Sequence, residues 1–179
     1  TNSLTFVKDL GNRHINIASS DPQEACKGSK FYLICGPAHI HEEILKKIAP
    51  FVEKDSFVGT LYGQGSFAWT AYAILKNRLQ KDNITIWALL NVPSICKTIT
   101  YGESVSVIGP KNMLKLKFFH PSHLLSYCAA YPDYQKDKIC NYVDDMFGIP
   151  TVPLPNLLCI TLTPSNQIIH PGRVYGFLK

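Results

Sequence analysis

The chain has 179 residues, room for one ordinary domain or for a piece of a larger one. Hydrophobic residues make up 46% and charged residues 17%, which supplies a buried core and excludes a disordered chain. The formal charge of +5 is dispersed in ones and twos, with no basic stripe interleaved with aromatics, so nucleic acid is not an expected partner; the longest apolar runs, such as residues 84–90, are far too short for a membrane helix.

An acidic cap, Asp21, followed by Pro22 predicts a short helix. The run Lys30-Phe31-Tyr32-Leu33-Ile34-Cys35 is continuously apolar after its lysine and is broken by Gly36-Pro37, the pattern of a strand buried on both faces. Ile44, Leu45, Ile48 and Phe51 recur at helical spacing. The unit then repeats: a strand at 56–61, a turn at 63–65, a helix over 66–79 and a strand at 84–90. Strands alternating with helices through short connections predict a parallel sheet, which binds ligands at the carboxyl ends of its strands.

After Asn91-Val92-Pro93 the rhythm changes. Residues 95–100 and 105–108 flank Tyr101-Gly102-Glu103 as a hairpin, and 114–119 make another strand. Helices are expected over 121–131 and 135–147, the second ended by Gly148. Pro150, Pro153, Pro155 and Pro164 break the next stretch into short pieces, and Pro171 opens a last helix. Residues 1–17 read as strand material with no helix before them, and the last helix is barely two turns long, so the chain reads as the middle of a longer protein.

Six cysteines, at 26, 35, 96, 128, 140 and 159, sit far apart with no CxxC, the pattern of buried free thiols in a reducing compartment. With no signal-peptide pattern at the opening, the expected location is cytoplasmic. The sequon Asn83-Ile84-Thr85 opens an expected buried strand and is read as accidental.

Gly63-Gln64-Gly65-Ser66-Phe67-Ala68 matches the G-x-G-x-x-G/A phosphate-binding pattern between a strand and a helix, but the acidic residue that should follow is only approximated by Asp82, which precedes a strand. A tight turn that needs glycine is the favoured reading. His39 and His41 lie two apart at a helix start and point in different directions, and no third ligand completes a metal site. His120 and His123 read as helix caps. In Asn166-Gln167-Ile168-Ile169-His170-Pro171 the histidine sits at the cap of a proline-started helix, whose positive end favours the neutral imidazole that proton transfer requires.

The tail with Pro164, Asn166, His170-Pro171 and Tyr175-Gly176 resembles the octopine/opine dehydrogenase family. The turn Gly36-Pro37-Ala38 with His41, the segment with Gln64 and Gly65, and the hairpin around Tyr101-Gly102 are similar to that family in the same order, over residues 21–179. The resemblance implies an NAD or NADP enzyme that reductively condenses an amino acid with a 2-oxo acid. It implies His170 as the proton-transfer residue with Asn166 close by, and Pro37, Ala38, Gln64 and Gly65 on the cofactor crevice. The implied fold is α/β, a Rossmann-like, mostly parallel sheet with flanking helices and an added β-hairpin region, incomplete at both ends. Residues 1–163 would be the dinucleotide-binding domain without its first βα unit and its glycine-rich loop, and 164–179 the start of a helix leading into a helical substrate domain. Another chain or chain segment would then cover the open sheet edge. The rival reading is a non-catalytic Rossmann-like structural or interaction module in a larger assembly. A ketopantoate- or glycerol-phosphate-type dehydrogenase fits less well, because the His-Pro helix start is not their hallmark.

Overall fold

The computed structural model describes residues 16–63, 67–101, 103–119 and 133–153. In chain order the elements are α1 (Pro22–Cys26), β1 (Phe31–Ile34), a 3-10 turn (Ala38–Ile40), α2 (His41–Ile48), β2 (Phe57–Thr60), α3 (Phe67–Leu79), β3 (Thr85–Leu89), β4 (Ile95–Thr100), β5 (Ser104–Ile108), β6 (Leu114–Phe119), α4 (Asp133–Phe147) and β7 (Thr151–Pro153). The punctuation read from the sequence is in place. Asp21 caps α1 by accepting the Gln23 N–H at 3.0 Å, and Gly148, in the left-handed region at φ +61°, ends α4 with its N–H on the Asp144 carbonyl.

The main sheet has the order β1-β2-β3-β6-β7. β1, β2 and β3 are parallel neighbours, in register from Phe31↔Phe57↔Thr85 onward, as the strand-helix alternation implies. β6 then runs antiparallel beside β3, and β7 runs parallel to β6, so the sheet is mostly parallel α/β. β4 and β5 form the separate hairpin. The proline-rich stretch holds more order than its composition suggests: Thr151, Val152 and Pro153 pair with Leu114, Lys115 and Leu116. A proline with no N–H to donate is tolerated where it ends a strand. β1 and β7 are the edge strands among the described residues. Of the segment expected as strand at 1–17, residues 1–15 lie outside the described residues and residues 16 and 17 are in no strand; the helices expected over 121–131 and from Pro171 also lie outside, as does the domain junction expected at 163/164.

Alternation along the strands loads both faces. Tyr32, Ile34, Val58, Ile86 and Ala88 face α2 and α3, where Leu45, Phe67, Ala71, Leu75 and Leu79 are buried. Phe57, Trp87, Leu89, Leu114 and Leu116 face α4 and meet Ile139, Cys140 and Val143. Each such fully buried side chain contributes roughly 1.5–3 kcal/mol. A clamp closes the first layer. Arg78, in the last turn of α3, donates through Nη1 to the Ala49 carbonyl and through Nη2 to the Val52 carbonyl at 2.6 Å, satisfying acceptors around the end of α2, while its Nε meets Asp82 Oδ2 at 2.6 Å.

Candidate functional site

β1 ends at Ile34 and the chain turns into a helix within six residues. Ile40 packs closely over Gly36, where a Cβ would stand 2.7 Å from Ile40 Cδ1 and push that side chain aside. Pro37, extended at φ −67° and ψ 150°, leads into the 3-10 turn, whose Ile40 N–H bonds the Pro37 carbonyl at 3.1 Å, and the His41 N–H returns to Ala38. β2 ends next to it, held by Thr60 Oγ1 donating to the Ile34 carbonyl at 3.0 Å. Between the two strand ends and the loop after β3 lies a cleft of about 690 Å3, lined by Cys35, Gly36, Pro37, Ala38, His39, His41, Thr60, Leu61, Tyr62 and Val92. Small-molecule sites run from about 300 to 1,000 Å3, and the carboxyl end of a parallel sheet is where they form.

The cleft has a distinct chemistry. Among the described residues its lining carries no Lys, Arg, Asp or Glu. Its polar groups are hydroxyls, one thiol, two imidazoles and the backbone of the turn. Burial pushes the Cys35 thiol above its ordinary value. His39 is exposed and His41 is buried, so the two rings do point apart. Among the described residues no three His, Cys, Asp or Glu side chains come together as a metal site. His41 Nε2 lies 3.0 Å from the Gly36 carbonyl, and the ring meets Phe67 edge-on at 5.3 Å and 87°. The starts of α2 and α3 therefore touch through these two side chains.

Of the residues expected from the sequence, Pro37 and Ala38 line this cleft. Gln64, Gly65, Asn166 and His170 lie outside the described residues. Of the glycine-rich match after β2 only its flanks are described: the Gly63 N–H is donated to the Leu89 carbonyl at 3.0 Å, and Phe67 is a core residue. Asp82 is no ribose ligand. It sits just before β3, at the amino end of the strands and away from the cleft, ion-paired to Arg78. Cys35, Thr60, Leu61, Tyr62 and Val92 were not singled out from the sequence. The available signal was their position at a strand's last residue or within three residues after it.

No family model matches the chain. By sequence and by fold, octopine and opine dehydrogenases are homologues of this chain across most of its length. An uncharacterized protein of Sinorhizobium fredii is 28% identical over 161 residues, 89% of this chain and 39% of its own length. Octopine dehydrogenase of Mizuhopecten yessoensis is 26% identical over 161 residues, 89% of this chain and 37% of its own. The structure of an octopine dehydrogenase with NADH and L-arginine superposes with a TM-score of 0.71 at 17% identity, covering 87% of this chain and 36% of that one. The chain thus spans about two-fifths of the length of these relatives, and the Rossmann-like fold expected from its motifs is the fold it shares with them.

Proposed function

We propose that this chain is the larger part of the dinucleotide-binding domain, residues 1–163, of an NAD(P)-dependent oxidoreductase of the opine dehydrogenase type, joined through residues 164–179 to a substrate domain. The observation that carries this reading is the cleft at the carboxyl ends of β1 and β2, large enough for a ring and a ribose and free of charged side chains. An uncharged lining suits the nicotinamide end of the cofactor rather than its pyrophosphate, which calls for backbone N–H groups at a glycine-rich helix start. The orphaned polar atom His41 Nδ1 and the close turn at Gly36 fit such a ligand.

When bound, the dinucleotide supplies the hydride. The chain's own residues supply the rest. Pro37 and Ala38 form the cleft wall with Thr60 at its side, and Gln64 and Gly65, which follow β2 in the sequence, share the cofactor-binding role. His170, held before Pro171 and oriented by Asn166, gives or takes the proton at the substrate carbon as an amino acid and a 2-oxo acid condense. The homology to octopine dehydrogenase supports this substrate class, since solved octopine dehydrogenases hold arginine, agmatine or pyruvate.

The test is NADH oxidation by the protein that contains this chain, with amino acids and 2-oxo acids supplied singly and in pairs. Oxidation should require one of each. Tight NADH binding without turnover on any pair would instead favour the non-catalytic module.

A further inference from the structure

His41 carries a feature that its structural role leaves unexplained. The ring is 3% exposed and anchored twice, by Nε2 at 3.0 Å from the Gly36 carbonyl and by its edge-on contact with Phe67. A carbonyl oxygen only accepts, so Nε2 carries the proton, and in the singly protonated ring Nδ1 is an acceptor. Nδ1 is buried without a hydrogen-bond partner among the described residues. An unmade buried bond is a cost, and of the three such atoms among the described residues, His41 Nδ1, Trp87 Nε1 and Asp144 Oδ1, only the first belongs to a residue of the cleft wall.

The complementary groups are next to it. Ala38 and His39 open the 3-10 turn, where the first N–H groups of a helical turn have no partner inside it, while the Ile40 and His41 N–H groups are already bonded to Pro37 and Ala38. Ala38, His39 and His41 all line the cleft. Within four residues the wall therefore offers backbone donors, the buried acceptor of His41 and the exposed imidazole of His39, and no Lys, Arg, Asp or Glu. That pair matches a primary carboxamide, whose oxygen accepts and whose NH2 donates. A carboxylate could use only the donors and would set its oxygen against the bare Nδ1 lone pair.

We propose that His41 Nδ1 is the acceptor for a primary carboxamide bound in this cleft, and that with the N–H groups of Ala38 and His39 it selects the amide over the corresponding acid. This rests on the reading of the cleft as the nicotinamide end, and it names the group that end recognises. Nδ1 is screened from water, so the donor reaches it by pressing into the wall, a bond that closes only with the ligand in place.

The probes are nicotinamide mononucleotide, nicotinic acid mononucleotide and AMP, titrated into the 179-residue chain with 15N detection of the histidine ring nitrogens. The amide should bind about tenfold more tightly than the acid, one hydrogen bond's worth, and only the amide should move the Nδ1 resonance. His41→Phe, which keeps the ring contact with Phe67, should bind amide and acid equally, and His41→Gln, whose side-chain oxygen is an acceptor, should restore part of the preference. Equal binding of amide and acid by the wild-type chain overturns the inference and leaves the nicotinamide reading standing. AMP binding in the cleft in place of both, or no binding by any of the three, overturns the two together.

Discussion

Gly59 and Trp87 face each other across β2 and β3, and the indole lies where a side chain on Gly59 would stand. The glycine is therefore a packing requirement on the α4 side of the sheet, where Phe31 stacks on the same indole at 4.8 Å. Gly59→Ala forces either Trp87 or the strand to move. It should destabilise the chain by about 1–3 kcal/mol, the usual cost of overpacking a filled core. Denaturant titration followed by tryptophan fluorescence measures this, and a neutral substitution would mean that the indole is not seated on β2.

Arg78 joins three segments through Asp82, Ala49 and Val52. The Asp82 side chain is only 7% exposed, so removing its partner leaves a nearly buried carboxylate and two carbonyls without their donors. Arg78→Ala is expected to cost on the order of 3 kcal/mol. Arg78→Lys should recover little of it, because an ammonium cannot reach three acceptors in the planar fork geometry of a guanidinium. If Arg78→Lys melts like the wild type, the clamp contributes nothing beyond its charge.

Glu53 ties the end of α1 to the loop before β2. Its Oε1 accepts the Gly28 N–H at 2.6 Å and its Oε2 lies 3.2 Å from Lys30 Nζ. The Gly28 N–H first, and Lys30 second, hold its carboxyl below the ordinary value of 4.5. A carboxyl lowered in the folded chain stabilises it above the unfolded value and ceases to do so as pH falls through the folded one. The stability gap between wild type and Glu53→Gln should therefore be constant near neutral pH and shrink below about pH 4.5. Urea midpoints from pH 7 to pH 3 would show it, and a gap independent of pH would remove Glu53 from the acid response.

The elements legible in the sequence are those set by local pattern. The apolar run ending at Gly36-Pro37, the helical recurrence of Ile44, Leu45 and Ile48, and the Gly148 stop each act within a few residues, and β1, α2 and α4 stand where those signals put them. What local pattern does not encode is which strand lies beside which. β6 could have joined either edge, and its antiparallel place next to β3 is fixed by Leu116 and Leu114 closing the core with Trp87 and Leu89. The same holds for the site. Pro37 and Ala38 announce themselves as a strand-ending turn, whereas Thr60 and Val92 are ordinary residues brought to the cleft by neighbouring strands. Asp82 precedes β3 in the sequence, and that position puts it at the amino end of the sheet, away from the cleft.

The cleft can be read directly through its thiol. Cys35 lines it and is exposed, as is Cys96 on the hairpin, whereas Cys26 and Cys140 are buried. Alkylation needs the thiolate, and burial raises the Cys35 pKa above 9.0, so Cys35 should label slowly at neutral pH and gain about tenfold per pH unit until it titrates. Cys96 should label first at neutral pH, since solvent reaches it freely. A nucleotide seated against the turn at Pro37 and Ala38 covers Cys35 and leaves Cys96 untouched, so saturating nicotinamide nucleotide should slow labelling at Cys35 alone. Peptide mapping after timed iodoacetamide exposure separates the sites, with Cys96 as the internal control. If the nucleotide binds and Cys35 labels at an unchanged rate, the ligand sits elsewhere and the carboxyl ends of β1 and β2 are not its site.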